Sequence, residues 1–287
     1  MFAAICLTAA CSRFANPPNQ TAGERVVVIS PVYNEIIWAL GAQERVVGVD
    51  LSSTYPAEIK NVQTVGYHRA LSAEGILSLH PTAVLEDDNI GPPQVVEQIK
   101  GLNIPMVTFQ AKNNSVDGTK ELIREMGTYF HKEARAEELC RNLDTQMAAS
   151  MESVKQYTDR PRVAVIHFGR ASNIYMVVGK GGRGDAAGAG KMVEWAGGEM
   201  ALGEQGMQRM TSPEIVAQAN PDIILVTDFG FDRLGGSIDQ IKALPGVDTS
   251  NAAKNNRIYR IEENQLMYFG PRTGENVAKV AAIIHQK

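Results

Sequence analysis

The chain has 287 residues, 44% of them hydrophobic, and a net charge of −4. That length accommodates two domains of ordinary size with real cores. The dispersed basic residues argue against nucleic-acid binding, no segment could span a bilayer as an integral protein would, and three cysteines do not make a disulfide framework.

Residues 1–23 read as a leader and spacer. MFAAICLTAAC is small and apolar, like the h-region of an export signal, and a polar stretch follows. Thr8-Ala9-Ala10-Cys11 resembles a bacterial lipoprotein box with Thr8 where leucine is usual, so Cys11 is a candidate lipidation site. Ordinary signal cleavage and a plain tail are the alternatives. Either processed form leaves Cys140, which reads as a buried small residue on a helix.

From residue 24 to 115 short apolar runs alternate with helical patterns. Arg25-Val-Val-Val-Ile-Ser30 reads as a buried parallel strand. A helix from Pro31 to Leu40 follows, closed by Gly41, then a strand over Val46–Val49. This is the βαβ signature of a parallel sheet. Within it, Gly66-Tyr67-His68-Arg69 precedes LSAEGILSLHPTAVL (71–85), which returns as TSPEIVAQANPDIIL (211–225). Both copies read as a short carboxylate-bearing helix, a proline and a buried strand. The GYHR segment occurs only before the first copy.

Residues 116–160 read as a helical connector. Leu139, Cys140, Leu143, Met147, Met151 and Val154 recur at helical spacing, so one helix from about Lys132 to Tyr157 would run roughly 39 Å. A single stiff helix between two lobes limits opening and closing. The second lobe, 161–287, starts with RVAVIH (162–167), which matches RVVVIS, and carries a glycine-rich loop, GKGGRGDAAGAG (179–190). That loop lacks the lysine-serine ending of a phosphate loop. The expected architecture is therefore α/β: two Rossmann-like lobes with parallel sheets, joined by a single long connecting helix.

Ligands of open parallel sheets lie beyond the carboxyl ends of the strands. Two candidates fall there, Tyr67 and His167, which facing lobes would bring to opposite sides of one flat ligand. Phenolate is a hard ligand for ferric iron and holds haem iron in some proteins. A cation such as Arg69 favours the phenolate or pairs with a propionate. The plainer readings are a half-buried loop tyrosine and a satisfied strand-end histidine. His68 reads as a solvated loop residue, close enough to Tyr67 to compete as a ligand. Arg183 in the glycine-rich loop and Arg272 in YFGPRT (268–273) are further candidate contacts, Arg272 alternatively structural. Glu74 and Glu214 start equivalent helices. They suit docking onto two copies of a basic partner, helix-start stabilisation behind Ser72 and Ser212, or, remotely, acid–base or metal-dependent catalysis.

Four segments together, VGYHRALSAEGILSLHP, VGKGGRGDAAGAG, LGGSIDQIKALPGV and YFGPRT, resemble the haem substrate-binding proteins of bacterial ABC importers. These belong to a helix-linked class that also serves vitamin B12 and siderophores. The resemblance covers nearly all of 24–287. It implies a non-enzymatic, monomeric, extracytoplasmic haem carrier, periplasmic or lipid-anchored, that serves an ABC permease dimer with its ATPase subunits. It implies Tyr67 as iron ligand, His167 as a second ligand or haem contact, Arg69, His68, Arg183 and Arg272 as haem or propionate contacts, and Glu74 and Glu214 as permease-docking residues. Asp185 stands where relatives usually have threonine, and His68 where an apolar residue is commoner. A ferric-siderophore or corrinoid binder of the same fold is the alternative.

Overall fold

A computed structural model describes residues 23–112, 115–170, 174–178, 185–203, 207–209 and 214–286. Cys11, Arg183 and Ser212, singled out above, lie outside the described residues.

The first lobe begins with β1 (Val26–Ile29), all four residues of which are buried. Helix α1 (Pro31–Leu40) is started by Ser30, whose side chain accepts from the Tyr33 N–H, and is ended by Gly41 at φ 71°. Then come β2 (Val46–Val49), the short ribbon β3 (Gly66–Tyr67) and β4 (Ala70–Leu71), α2 (Ala73–Leu77), β5 (Ala83–Glu86), α3 (Pro93–Gly101) and β6 (Met106–Val107). The sheet is parallel with order β2-β1-β5-β6.

Two helices follow, α4 (Val116–Tyr129) and α5 (Glu133–Val154). The 22 residues of α5 extend about 33 Å, and Leu139, Cys140, Leu143 and Met147 form its buried stripe as the period requires. Burial pushes the Cys140 thiol pKa up. One hydrophobic cluster runs from β1 and α1 through α4 and α5 into the second lobe, so the connector is part of the core of both lobes.

The second lobe contains β7 (Arg162–Arg170), β8 (Ile174–Val178), α6 (Asp185–Trp195), β9 (Glu199–Met200), β10 (Met207–Arg209), α7 (Glu214–Ala219), β11 (Ile223–Thr227), α8 (Asp228–Arg233), α9 (Ile238–Lys242), α10 (Asn251–Lys254), β12 (Ile258–Ile261), α11 (Glu263–Leu266) and α12 (Thr273–Ile284). Its strands β9, β7, β11 and β12 pair in parallel. The parallel core expected from sequence is extended by an antiparallel ribbon, β8 with β10, along the far half of β7. Gly274 opens α12 against the connector: a Cβ there would come within 2.5 Å of the Met147 nitrogen. Beside it, Ser150 Oγ donates to the Gly274 carbonyl at 2.7 Å.

The internal repeat is exact at the level of strand register. Val26 pairs with Ala83 in the first lobe and Val163 with Ile223 in the second. Immediately before, the Thr82 N–H donates to the Arg25 carbonyl, and the Asp222 N–H to that of Arg162, both at 2.8 Å. The aligned segments thus occupy equivalent places in two similar lobes.

Candidate ligand-binding site

The carboxyl ends of both sheets face one cleft. Tyr67 ends the short strand β3 and is half-buried. Across the cleft, Thr227 caps α8 by accepting from the Gly230 N–H, and Phe229 sits in the first turn of that helix. The rings of Tyr67 and Phe229 are 5.8 Å apart and inclined by 15°, and the His167 ring lies 6.0 Å from that of Phe229 at 26°. Arg233, one helical turn on, sets its guanidinium carbon 3.6 Å from the centre of the Phe229 ring. Tyr67 from the first lobe and His167 from the second therefore both reach the Phe229 ring.

The two cleft histidines are held by matching devices. His68 Nδ1 lies 3.0 Å from Ser52 Oγ and 3.8 Å from Asp50 Oδ2. The Ser52 hydroxyl donates to Asp50 through a short hydrogen bond, so its oxygen is left to accept from His68 Nδ1–H. Asp50 is fully buried and also receives Ser53 Oγ at 2.6 Å and the Ser52 N–H at 3.0 Å. In the other lobe, His167 Nδ1 lies 3.3 Å from Thr227 Oγ1 and 3.8 Å from Glu263 Oε2. Thr227 spends its proton on the His167 carbonyl at 2.8 Å, so its oxygen too is left to accept from Nδ1–H. In both rings this bonding places the proton on Nδ1 and leaves Nε2 unprotonated. His68 is only 8% exposed, which replaces the solvated loop residue expected from sequence. The ordering of Ser52 and Asp50 behind it accounts for the burial.

His167 is 7% exposed. Its pKa is lowered to about 4, chiefly by burial, with the neighbouring His68 and Arg233 acting in the same direction. The neutral imidazole is thus the resident form at neutral pH. Glu263 is held in turn by Tyr268, whose hydroxyl donates to Oε1 at 2.8 Å, and its backbone N–H donates to Asp228 Oδ1 at 3.1 Å.

The arginines divide. Arg69 is exposed and donates to Asn89 Oδ1 through Nε at 3.1 Å and Nη2 at 2.6 Å, and it pairs with no carboxylate among the described residues. Arg272 is committed elsewhere: Nε and Nη2 donate to the two oxygens of Glu35 at 3.1 and 3.0 Å, and Nη2 also donates to Glu262 at 3.0 Å. Glu74, in the first turn of α2 behind the Ser72 cap, and Glu214, at the start of α7, are both exposed. No helix among the described residues is long and apolar enough to cross a membrane.

Sequence reasoning missed Phe229, Thr227, Asp50 and Glu263. The first three stand at or just beyond the carboxyl ends of β11 and β2, where the strand-end rule points; Glu263 carries no such signal, because it reaches the site from a separate helix.

The family model described as "Periplasmic binding protein" matches residues 26–265. The periplasmic heme-binding protein RhuT from Roseiflexus sp. RS-1, solved in apo form, superposes with a TM-score of 0.81 at 33% identity, over 92% of this chain and 98% of that one. The periplasmic heme-binding protein BhuT, in complex with two hemes, superposes with a TM-score of 0.77 at 30% identity, over 91% and 97%. An uncharacterised ABC transporter substrate-binding lipoprotein of Bacillus subtilis (strain 168) is 27% identical over 91% of this chain and 80% of its own length. On the extent of the family match and of these likenesses, the chain belongs to the periplasmic binding protein family.

Proposed function

We propose that this chain captures haem between its lobes and hands it to an ABC permease, outside the cytoplasmic membrane and without chemical change to the cargo. The observation that carries the reading is the approach of Tyr67 from one lobe and of a neutral His167 from the other to the same ring, Phe229. A tyrosine oxygen suits ferric iron, and an imidazole nitrogen whose partner is fixed suits it as well. Tyr67 binds the iron from the first lobe. His167 supplies either the second axial position of the same iron or the ligand of a second, stacked haem, a geometry that two similar lobes serve equally. His68, held beside Tyr67 at a ring distance of 4.2 Å, gives the first lobe a second contact. Arg69 and Arg233, exposed on opposite lobes, take the propionates, and Arg183 on the glycine-rich loop joins them. A mostly apolar porphyrin fits such a cleft, with few placed polar groups.

Glu74 and Glu214, one on each lobe, dock onto the two halves of a permease dimer that works with its ATPase subunits. The leader, 1–23, directs export, and Cys11 attaches lipid. The division into a first lobe over 24–115, a connector over 116–160 and a second lobe over 161–287 places one docking residue and one iron ligand in each lobe of a monomer.

The likeness in sequence and fold to RhuT and BhuT supports haem over a corrinoid or ferric siderophore. Hemin titration of the purified protein tests the reading. A Soret band of tyrosinate type is expected, changed in position and weakened in affinity by Tyr67→Phe. Displacement of hemin by cobalamin or a ferric hydroxamate at equal concentration would turn the reading towards those ligands.

A further inference from the structure

Arg272 crosses from one lobe to the other. It precedes α12 in the second lobe, and the carboxylate it grips belongs to Glu35 of α1 in the first, 237 residues away. The contact is bidentate, the strong geometry for this pair, and secluded: the side chains of Arg272 and Glu35 are 14% and 6% exposed. The guanidinium sits over the ring of Tyr55 in the first lobe, its central carbon 3.2 Å from the ring centre. Gly270 lets the chain come this close, since a Cβ there would sit 3.1 Å from Glu35 Oε1.

The same short segment reaches the binding cleft. Glu262 accepts from Arg272, and Asn264 Nδ2 donates to Glu35 at 3.4 Å. Between them, Glu263 turns the other way, to Tyr268 and towards His167. Three consecutive residues thus serve the inter-lobe pair, the cleft histidine and the inter-lobe pair again.

We propose that Glu35 and Arg272 form an inter-lobe clasp which sets the spacing of Tyr67 and His167, so that Arg272 is a positioning residue and not a contact of the ligand. Haem as the clasped ligand rests on the function proposed above; the clasp itself does not. To reach a propionate, Arg272 would have to abandon a buried Glu35 carboxylate, a costly exchange. The clasp supplements the connector: α5 joins the lobes through the core, and Glu35–Arg272 ties them at a second point, which leaves little freedom for a hinge.

Distance measurement between spin labels on the full chain tests this. Labels are carried by a ketone-bearing unnatural residue at the exposed positions 102 and 238, one on each lobe, so that no cysteine is involved. The ligand-free protein is expected to give one narrow distance distribution. Arg272→Gln and Glu35→Gln are each expected to broaden it and to speed hemin dissociation ten-fold or more. The Glu35→Gln/Arg272→Gln double variant should do less than the sum of the two single ones, because they share the clasp interaction. Arg272→Lys, which keeps the charge without the fork, falls between. Unchanged distances in both single variants overturn the clasp, whether or not hemin binding changes; weakened binding at unchanged distance would make Arg272 a ligand contact. Should Arg272→Gln not fold, Glu35→Gln and Arg272→Lys decide. If the wild type shows no Soret band with hemin, the haem reading fails, while the ligand-free distances still decide the clasp.

Discussion

Tyr67 and Phe229 meet ring against ring across the cleft, 5.8 Å apart and nearly parallel. One belongs to a short strand of the first lobe and the other to the first turn of α8 in the second. A flat ligand entering between the lobes exchanges this contact for two aromatic faces. An aromatic pair contributes about 0.5–1.5 kcal/mol beyond its area, so Phe229→Ala is expected to speed hemin release roughly two- to thirteen-fold. The Soret position should stay as in the wild type, because Tyr67 is untouched. Stopped-flow transfer of hemin to apomyoglobin measures the rate. A shifted Soret band would mean that Phe229 governs coordination and not merely stacking.

His167 is buried as the neutral base, with a pKa of about 4 in the fold against about 6.5 in an unfolded chain. The unfolded state therefore takes up a proton first as pH falls, and the folded state loses ground between about pH 6.5 and 4. Above that window the histidine has no such effect. The full loss is on the order of 3 kcal/mol. Urea unfolding across pH 7 to 4 should show a shallower decline in His167→Gln than in the wild type. Equal slopes would mean that the ring titrates in the folded protein near its ordinary value.

Ser52 stands between a fully buried carboxylate and the ring of His68. Ser52→Ala removes a hydroxyl donor from Asp50 and the acceptor of His68 Nδ1–H at once. Buried groups left unsatisfied cost about 1–3 kcal/mol, so the variant should melt several degrees lower. Ser52→Thr, which keeps the hydroxyl, should recover most of the loss. Proton NMR of the His68 ring would show whether the Nδ1 proton, sheltered in the wild type, begins to exchange with water.

The frame of this molecule was legible because each part rests on a local pattern. The apolar runs at 26–29 and 163–166 have no polar alternation and become buried parallel strands, and the repeated glutamate-to-proline segment falls in the same register in both lobes. The connector declared itself through the spacing of Leu139, Leu143 and Met147. The antiparallel β8–β10 extension was not legible, since ribbon and βαβ strands share the same composition. Nor was the pairing of Arg272 with Glu35, which depends on how two lobes face each other. A chain position such as 272, next to a proline and before a helix, fits a surface contact as well as a buried clasp. The burial of His68 was not legible for a related reason. Its burial comes from Asp50 and Ser52, which lie 18 and 16 residues earlier and carry no periodic signal.

Glu74 and Glu214 occupy equivalent helix starts, each in the first turn and each exposed. A carboxylate there gains from the helix dipole, but only about 0.3–1 kcal/mol at an exposed site, so removing both should leave the fold stable. Neither is among the residues that meet at Tyr67, His68 and His167, so hemin affinity in Glu74→Ala/Glu214→Ala should match the wild type within two-fold. What should disappear is stimulation of ATP hydrolysis by the cognate permease reconstituted in lipid. Each single variant should fall between, because one lobe still engages one half of a symmetric partner. Arginine substitution at both positions should act more strongly than alanine, since repulsion from a basic surface adds to the lost attraction. Loss of hemin binding in the double alanine variant would move these carboxylates into the cleft and end the docking assignment.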